Sequence, residues 1–400
     1  MRYIATIGEQ GRLFESKEKI MGPLSGMTVV ELAGVGPGPM AGMLLADLGA
    51  TIIRVDRLEP ANLGVPFDAR FDVHARGRRS IALDLKNSSS AEILFRLVDR
   101  ADILIEGFRP GVMEGLGFGP DELCARNPGL IYARITGFGQ TGPLAKAAGH
   151  DLNFISLTGA LEAIGERDGK PLPPLNLVGD YAAGSLYLVM GVLAALVERA
   201  SSGLGQVVDS AILDGAISLM SVFYGLRAGD AWSLQRGDNY LDGGAPFYDS
   251  YETSDGRYMA VAPIEPKFFR QLGEKIGLDP ALVAAQLDRS RWPDIRRAMT
   301  EIFKSRSQKE WIELLEGTDC CVTPVLTMDE ARHHPHVQSR GLFRQVDGVW
   351  HPVSAPRFSR SIASGPAPIP RAGQDNSTIL ADVGFSETEI AALQEEGAVG

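Results

Sequence analysis

The sequence predicts an α/β protein: a doubly wound, mostly parallel sheet with a smaller α+β domain attached. Three observations carry this. Apolar strand-like runs alternate with helix-like runs between Met27 and Thr136, the pattern of successive βαβ units. Two long apolar helical stretches follow, Ala182–Ala200 and Ser210–Gly225, separated by the strand-like Gln206–Val208. The texture then changes at Ser254-Asp255-Gly256, where Asp-Gly between two alternating runs signals a hairpin.

Taken in order, residues 1–20 are polar and aperiodic and are expected to lie outside the first domain. Thr28–Ala33 predicts a strand, Met40–Leu48 a helix and Thr51–Val55 a second strand. The stretch Leu58–Val73 predicts an irregular loop, and Ser80–Leu83 a short strand. Ala91–Arg100 has apolar residues at helical spacing. Asp102–Ile105 and Leu130–Thr136 predict strands, with a short helix in GPDELCARNPG between them. Tyr248–Thr253 and Arg257–Pro263 are the hairpin strands, and helices are expected near Pro266–Ile276 and Ser307–Leu315. The Pro- and Ser-rich tail Gly341–Ile369 is expected to run extended over the large domain, with a last amphipathic helix at Ser386–Glu396. The expected organisation is an extension (1–20), a large domain (21–230), a small domain (231–335) and a segment returning to the large domain (336–400).

Composition narrows the function classes. The 400 residues carry a formal charge of −11, with both signs interleaved, so no basic face for nucleic acid is expected. The three cysteines, Cys124, Cys320 and Cys321, have no metal or redox spacing and suit a reducing, cytoplasmic setting. No signal-peptide pattern opens the sequence and no address signal closes it. The longest apolar run, Ala182–Val197, is interrupted by Gly184, Ser185 and Gly191 and is shorter than the roughly 18 residues of a membrane span. A buried core helix is expected there.

Five segments could carry chemistry. Gly34-Val35-Gly36-Pro37-Gly38-Pro39 lies between a strand and a helix, with Asp56 following, the layout of a dinucleotide cradle. Pro37 and Pro39 remove two amide donors from it, which suits a tight turn better. Arg76-Gly77-Arg78-Arg79, with Arg57 and Lys86 flanking, is either a phosphate site or a solvated loop. His150-Asp151 follows a strand end, where ligands of open α/β sheets gather. Asp180 opens a long helix, either as a cap or beside free amides that can hold an oxyanion. Glu265 precedes Pro266 and reads as a cap or as a functional carboxylate. His333-His334-Pro335-His336 lacks a completing ligand set and reads as a surface loop rather than a metal site.

Together these segments resemble the family III CoA-transferases, and within them the α-methylacyl-CoA racemase branch. The matching stretches run in register from Gly22 to Leu326: GPLSGMTVVELAGVGPGPMAGMLLADLGATIIRVDR, SIALDLK, ILIEGFRPGVMEGLGFG, LIYARITGFGQTGP, AGHDLNF, PPLNLVGDYAAGS, SGLGQVVD, GGAPFYDSYETSDGRYMAVAPIEPKF and CVTPVL. The resemblance implies an interlocked homodimer of a Rossmann-like large domain and a small domain. It implies His150 and Asp180 as the acid/base pair and Glu265, supplied by the partner subunit, as the carboxylate that orients the histidine. It assigns coenzyme A contacts to Arg57, to Leu83, Asp84, Leu85 and Lys86, to Gly107, Phe108 and Arg109, and to Gly149, Asp151, Leu152, Asn153 and Phe154. Asn176 falls near the acid/base carboxylate. Gly115 stands where members often carry a basic residue, and Phe154 where a tyrosine is common.

The implied reaction interconverts the (R) and (S) forms of 2-methyl-branched acyl-CoA thioesters. Inverting a carbon α to a thioester needs one group to take the proton from one face and another to deliver it on the opposite face. Histidine and aspartate have ordinary pKa values of about 6.5 and 3.9, so burial and neighbours must draw them together. The enolate oxygen needs donors placed beforehand. No metal or organic cofactor is called for; coenzyme A is part of the substrate. Three other readings stay open: a CoA-transferase with Asp180 as nucleophile, a nicotinamide-dependent oxidoreductase resting on the glycine loop, and a non-catalytic acyl-CoA-binding protein.

Overall fold

The computed structural model describes residues 22–59 and 68–400. The expected N-terminal extension and part of the loop after Leu58 lie outside the described residues. Six strands form one parallel sheet: β1 (Thr28–Leu32), β2 (Thr51–Asp56), β3 (Arg78–Ala82), β4 (Ile103–Glu106), β5 (Ile131–Thr136) and β6 (Val207–Ala211). Their spatial order is β3-β2-β1-β4-β5-β6. The order reverses between β1 and β4, so a crevice opens over their carboxyl ends.

The apolar runs explain this sheet. Val29 to Leu32 on β1 and all six residues of β5 are buried, as expected of strands covered on both faces. Alternate side chains feed two cores. Val30, Leu32, Ile53, Val55 and Leu104 pack against Ile93, Leu94 and Leu97 of α2 (Ser88–Val98). The opposite set, Val29, Ile52, Ile103, Ile131 and Ile135, packs against Ala41 and Leu45 of α1 (Pro37–Asp47) and Leu188 and Val192 of the long helix. The last helix, Glu387–Glu395, has the Ser386/Glu389 capping box and buries Ile390 on the α2 side.

Several expectations need correction. The helix after the glycine loop begins at Pro37, three residues earlier than the pattern predicts. The long apolar helix begins at Leu177 with a π-helical segment, Leu177–Leu186, and continues as α-helix Tyr187–Ser202. The 26-residue stretch is thus long and apolar enough to cross a membrane by length and composition. It packs against α1 and β5, with Leu188, Val189, Val192 and Ala195 buried. The second predicted helix is divided into β6 and helices Ile212–Leu219 and Ser221–Ala228.

The hairpin forms as β7 (Asp249–Glu252) and β8 (Tyr258–Val261), turning at Gly256 with φ +72°. A third strand, β9 (Val322–Pro324), completes that sheet and was not foreseen. Its core holds Phe247, Phe269, Trp292, Phe303 and Trp311, with Trp292 and Phe303 on the unpredicted helix Trp292–Phe303. The tail is not extended throughout, because β10 (Phe343–Val346) and β11 (Val349–Pro352) form a hairpin. Beyond it the chain meets the large sheet's helices, where Ser364 N–H donates to the Asp47 carbonyl at 2.8 Å.

Candidate active site

A cavity of about 390 Å³ opens at the carboxyl edge of the parallel sheet. The ends of β1, β4 and β5 form its floor through Leu32, Ile105 and Thr136, and the glycine loop forms one wall. Arg57, Gly107, Phe108, Arg109, Gly149, His150, Phe154 and Asp180 all line it. The sheet therefore brings together eight residues assigned by resemblance, from four separate segments of the chain.

Each is placed by local chemistry. Phe108 N–H donates to Glu106 Oε2 at 2.7 Å, and Glu106 is held by Arg134 at 2.6 Å, which fixes the loop after β4. Gly137 and Gly149 have no side chain because the Phe154 ring occupies the space; a Cβ would stand 2.0 and 2.8 Å from it. Phe154 stacks edge-on against Phe138 at 4.9 Å. His150 precedes the helix Asp151–Ser156 in extended backbone, and its N–H donates to Asn153 Oδ1 at 3.1 Å.

Asp180 is half-buried in the π-helical segment, a geometry that often marks a functional site. Asn176 Nδ2 donates to its Oδ2 at 3.1 Å. Burial raises its pKa, as does the charge of Asp151; the Asn176 bond and His150 act the other way. This corrects the reading of Asp180 as the residue that opens its helix. Asn176 takes that place, and the Asp180 N–H is already given to Asp151 Oδ1 at 2.7 Å. That amide is thus not a donor for an enolate oxygen.

Asp151 is 7% exposed, and its Oδ2 is buried without a hydrogen-bond partner among the described residues. Burial raises its pKa, opposed by the Asp180 and Gly179 amides. Leu152 and Asn153 are exposed on the outer side of the same short helix and do not line the cavity.

Other assigned residues stand elsewhere. Leu83, Asp84, Leu85 and Lys86 follow β3 at the sheet edge and are outside this cavity. Leu83 is buried and bridges to Val399, and Asp84 Oδ1 accepts from Lys86 N–H at 3.0 Å. Glu265 is exposed before helix Pro266–Ile276, where its side chain makes no capping bond. It does not line the cavity of its own chain.

The basic segment is not a phosphate cradle. Arg76 is buried against Asp47 at 2.6 Å, Arg78 against Glu31 at 2.8 Å, and Arg79 pairs with Asp382 at 2.7 Å. Asp56, the acid a ribose would need, accepts from Ser80 Oγ and Arg54 Nε instead. His333 and His334 lie in the turn between helices Met328–Ala331 and Pro335–Ser339, with His336 on the second helix and His334 Nε2 2.7 Å from Glu316 Oε1.

Sequence reasoning missed the role of Gly36. With φ +74° it brings its backbone against Asp180, and a Cβ there would stand 3.3 Å from Oδ2. The signal was present in the glycine loop, but it pointed to a nucleotide rather than to a carboxylate.

The α-methylacyl-CoA racemase of Mus musculus is 44% identical over 376 residues, covering 93% of this chain and 96% of that protein. The Homo sapiens protein of the same name is 42% identical over 385 residues, with the same coverage. A crystal structure of a CAIB/BAIF family protein from Brucella suis superposes with a TM-score of 0.79 at 29% identity, covering 91% of this chain and all of that one. The family model described as CoA-transferase family III matches residues 24–376, and the chain belongs to that family.

Proposed function

We propose that this protein is a racemase that interconverts the (R) and (S) forms of 2-methyl-branched acyl-CoA thioesters by two-base proton transfer. One observation carries the reading: His150 and Asp180, from separate segments, line a single cavity and lie within each other's electrostatic reach. An imidazole and a carboxyl with a raised pKa are suited to exchange acid and base roles across one α-carbon. The names of the two racemases given above support the same substrate class.

In this reading the thioester end enters the cavity. Arg57 and Arg109, both exposed at its rim, meet the phosphates of coenzyme A. Leu83 to Lys86 extend the binding surface along the same sheet edge. No further cofactor takes part. The large domain comprises residues 21–230 with 336–400 returning to it, and 231–335 form the small domain. The protein works in the cytoplasm as an interlocked homodimer. Exposed Leu175, Leu177, Leu186, Met190 and Val197 support such a partner surface, since a soluble monomer rarely exposes so much apolar side chain along one stretch. Glu265, absent from the cavity of its own chain, then reaches the His150 of the other subunit and fixes its ring.

Incubation with one enantiomer of a 2-methylacyl-CoA in D₂O tests this. The expected result is racemisation with α-deuterium uptake, without acceptor acid or added cofactor. Transfer of CoA to an added acid, with an aspartyl-CoA adduct trapped by hydroxylamine, would replace this reading with a CoA-transferase in which Asp180 is the nucleophile.

A further inference from the structure

We infer that the Asp151 carboxylate is the positioning residue that sets the separation of His150 and Asp180. The proposal rests on the racemase reading and adds to it a residue that need not touch the substrate with its side chain. Asp151 follows His150 directly, and its Oδ1 accepts the Asp180 N–H at 2.7 Å. One side chain thus joins the two segments that carry the acid/base pair. Gly179 makes the contact possible, since a Cβ there would stand 2.2 Å from Asp151 Oδ1. The second oxygen, Oδ2, is buried without a partner among the described residues, a costly arrangement for a group with a purely structural task.

The charge matters as well as the bond. The groups facing Asp180 are His150 and Asp151 from one helix end, Asn176 from its own segment and the Gly36 backbone from the glycine loop. The other elements packed on the π-helical segment carry Asp47 on α1, Asp209 on β6, Asp214 on the helix Ile212–Leu219, and Glu198 and Arg199 on the helix that continues it. His74 meets the neighbouring Tyr181 edge-on at 5.2 Å. Among these, Asp151 is the anion that favours the protonated form of Asp180. Removing its charge while keeping an acceptor oxygen should make Asp180 a stronger acid.

Asp151→Asn and Asp151→Ala separate the two effects. For the enantiomer from which Asp180 takes the proton, Asp151→Asn should shift the acid limb of the kcat profile to lower pH, with KM within about twofold of wild type. Asp151→Ala should lower kcat about 100-fold with a much smaller change in KM, the cost of misplacing a catalytic group by about 1 Å. Hydrogen exchange at the Asp180 amide should become faster in Asp151→Ala and stay slow in Asp151→Asn. Unchanged kcat, pH profile and amide protection beside an active wild type would overturn the proposal and leave the racemase reading standing. An inactive wild type would reject the racemase reading, and the Asp180 amide would still report on the clamp. Should Asp151→Ala fail to fold, an unmoved pH limb in Asp151→Asn is by itself enough to reject the charge effect.

Discussion

Gly36 approaches Asp180 so closely that a single added methyl group would crowd the carboxylate, 3.3 Å from Oδ2 and inside ordinary van der Waals contact. Its φ of +74° is also one that side chains with a Cβ avoid. The glycine loop therefore forms the wall behind the carboxylate. Gly36→Ala should cost about 1–3 kcal/mol of stability from backbone strain. It should also lower kcat about tenfold or more by displacing Asp180. A thermal melt read beside kcat separates the two effects, and full activity in a destabilised variant would show that the wall is not needed.

If His150 and Asp180 serve opposite faces of the α-carbon, removing either should nearly abolish inversion but not all exchange. His150→Ala and Asp180→Asn should each keep slow α-deuterium uptake from one enantiomer, and the two should favour opposite enantiomers. Mass spectrometry of each product resolves this, and equal residual exchange of the same enantiomer by both variants would rule out the two-base assignment.

The Asn176 side chain donates to Asp180 Oδ2 and stabilises its charged form, opposing the upward push of burial. Asn176→Ala should therefore raise the Asp180 pKa further. In the direction where Asp180 is the base, activity appears as it loses its proton, so the acid limb should move to higher pH. The shift has the opposite sign to that expected for Asp151→Asn, and kcat measured between pH 4 and 8 would show it.

Arg57 is exposed at the cavity rim and makes no ion pair among the described residues. A contact with a phosphate would be lost equally from ground and transition states. Arg57→Ala should raise KM for acyl-CoA about tenfold while leaving kcat near wild type. An unchanged KM would remove Arg57 from the coenzyme A surface.

Arg78 is buried with Glu31, joined through both Nε and Nη2. Arg78→Ala should lower stability by about 3–5 kcal/mol, because Glu31 is left buried without its partner. Burial already favours the protonated form of Glu31, so the variant should lose stability further as pH rises above the ordinary carboxylate range. Replacing both residues by apolar side chains of similar volume should recover most of the loss. Urea melts of the single and double variants test this.

Much of the large sheet was legible because β1, β4 and β5 are covered on both faces and read as largely apolar runs, whose only charged residues are Glu31, Glu106 and Arg134. The hairpin was legible from Asp-Gly. What the sequence hid depended on partners far away in the chain. Arg76 and Arg78 look like a basic loop until Asp47 and Glu31 are placed beside them. Three-residue β9 is too short to show a period, and it pairs with β8 from some 60 residues downstream. The start of the long helix was obscured by Pro173, Pro174 and Leu175, the last with a left-handed φ of 55°. His150 and Asp180 could be placed in one site only through resemblance; each alone reads as an ordinary loop or cap residue.

The bridge between Leu83 and Val399 has a consequence for how this protein folds. Asp84 N–H donates to the Ala398 carbonyl at 3.2 Å, and Ser90 Oγ to the same oxygen at 3.0 Å. The outer edge of the sheet is therefore sealed by residues from a distant part of the chain. Until they dock, β3 presents an open edge able to pair with other chains, and contacts of such long sequence separation form slowly. Aggregation during refolding should be greatest before this edge closes, and Ser90→Ala should prolong that interval.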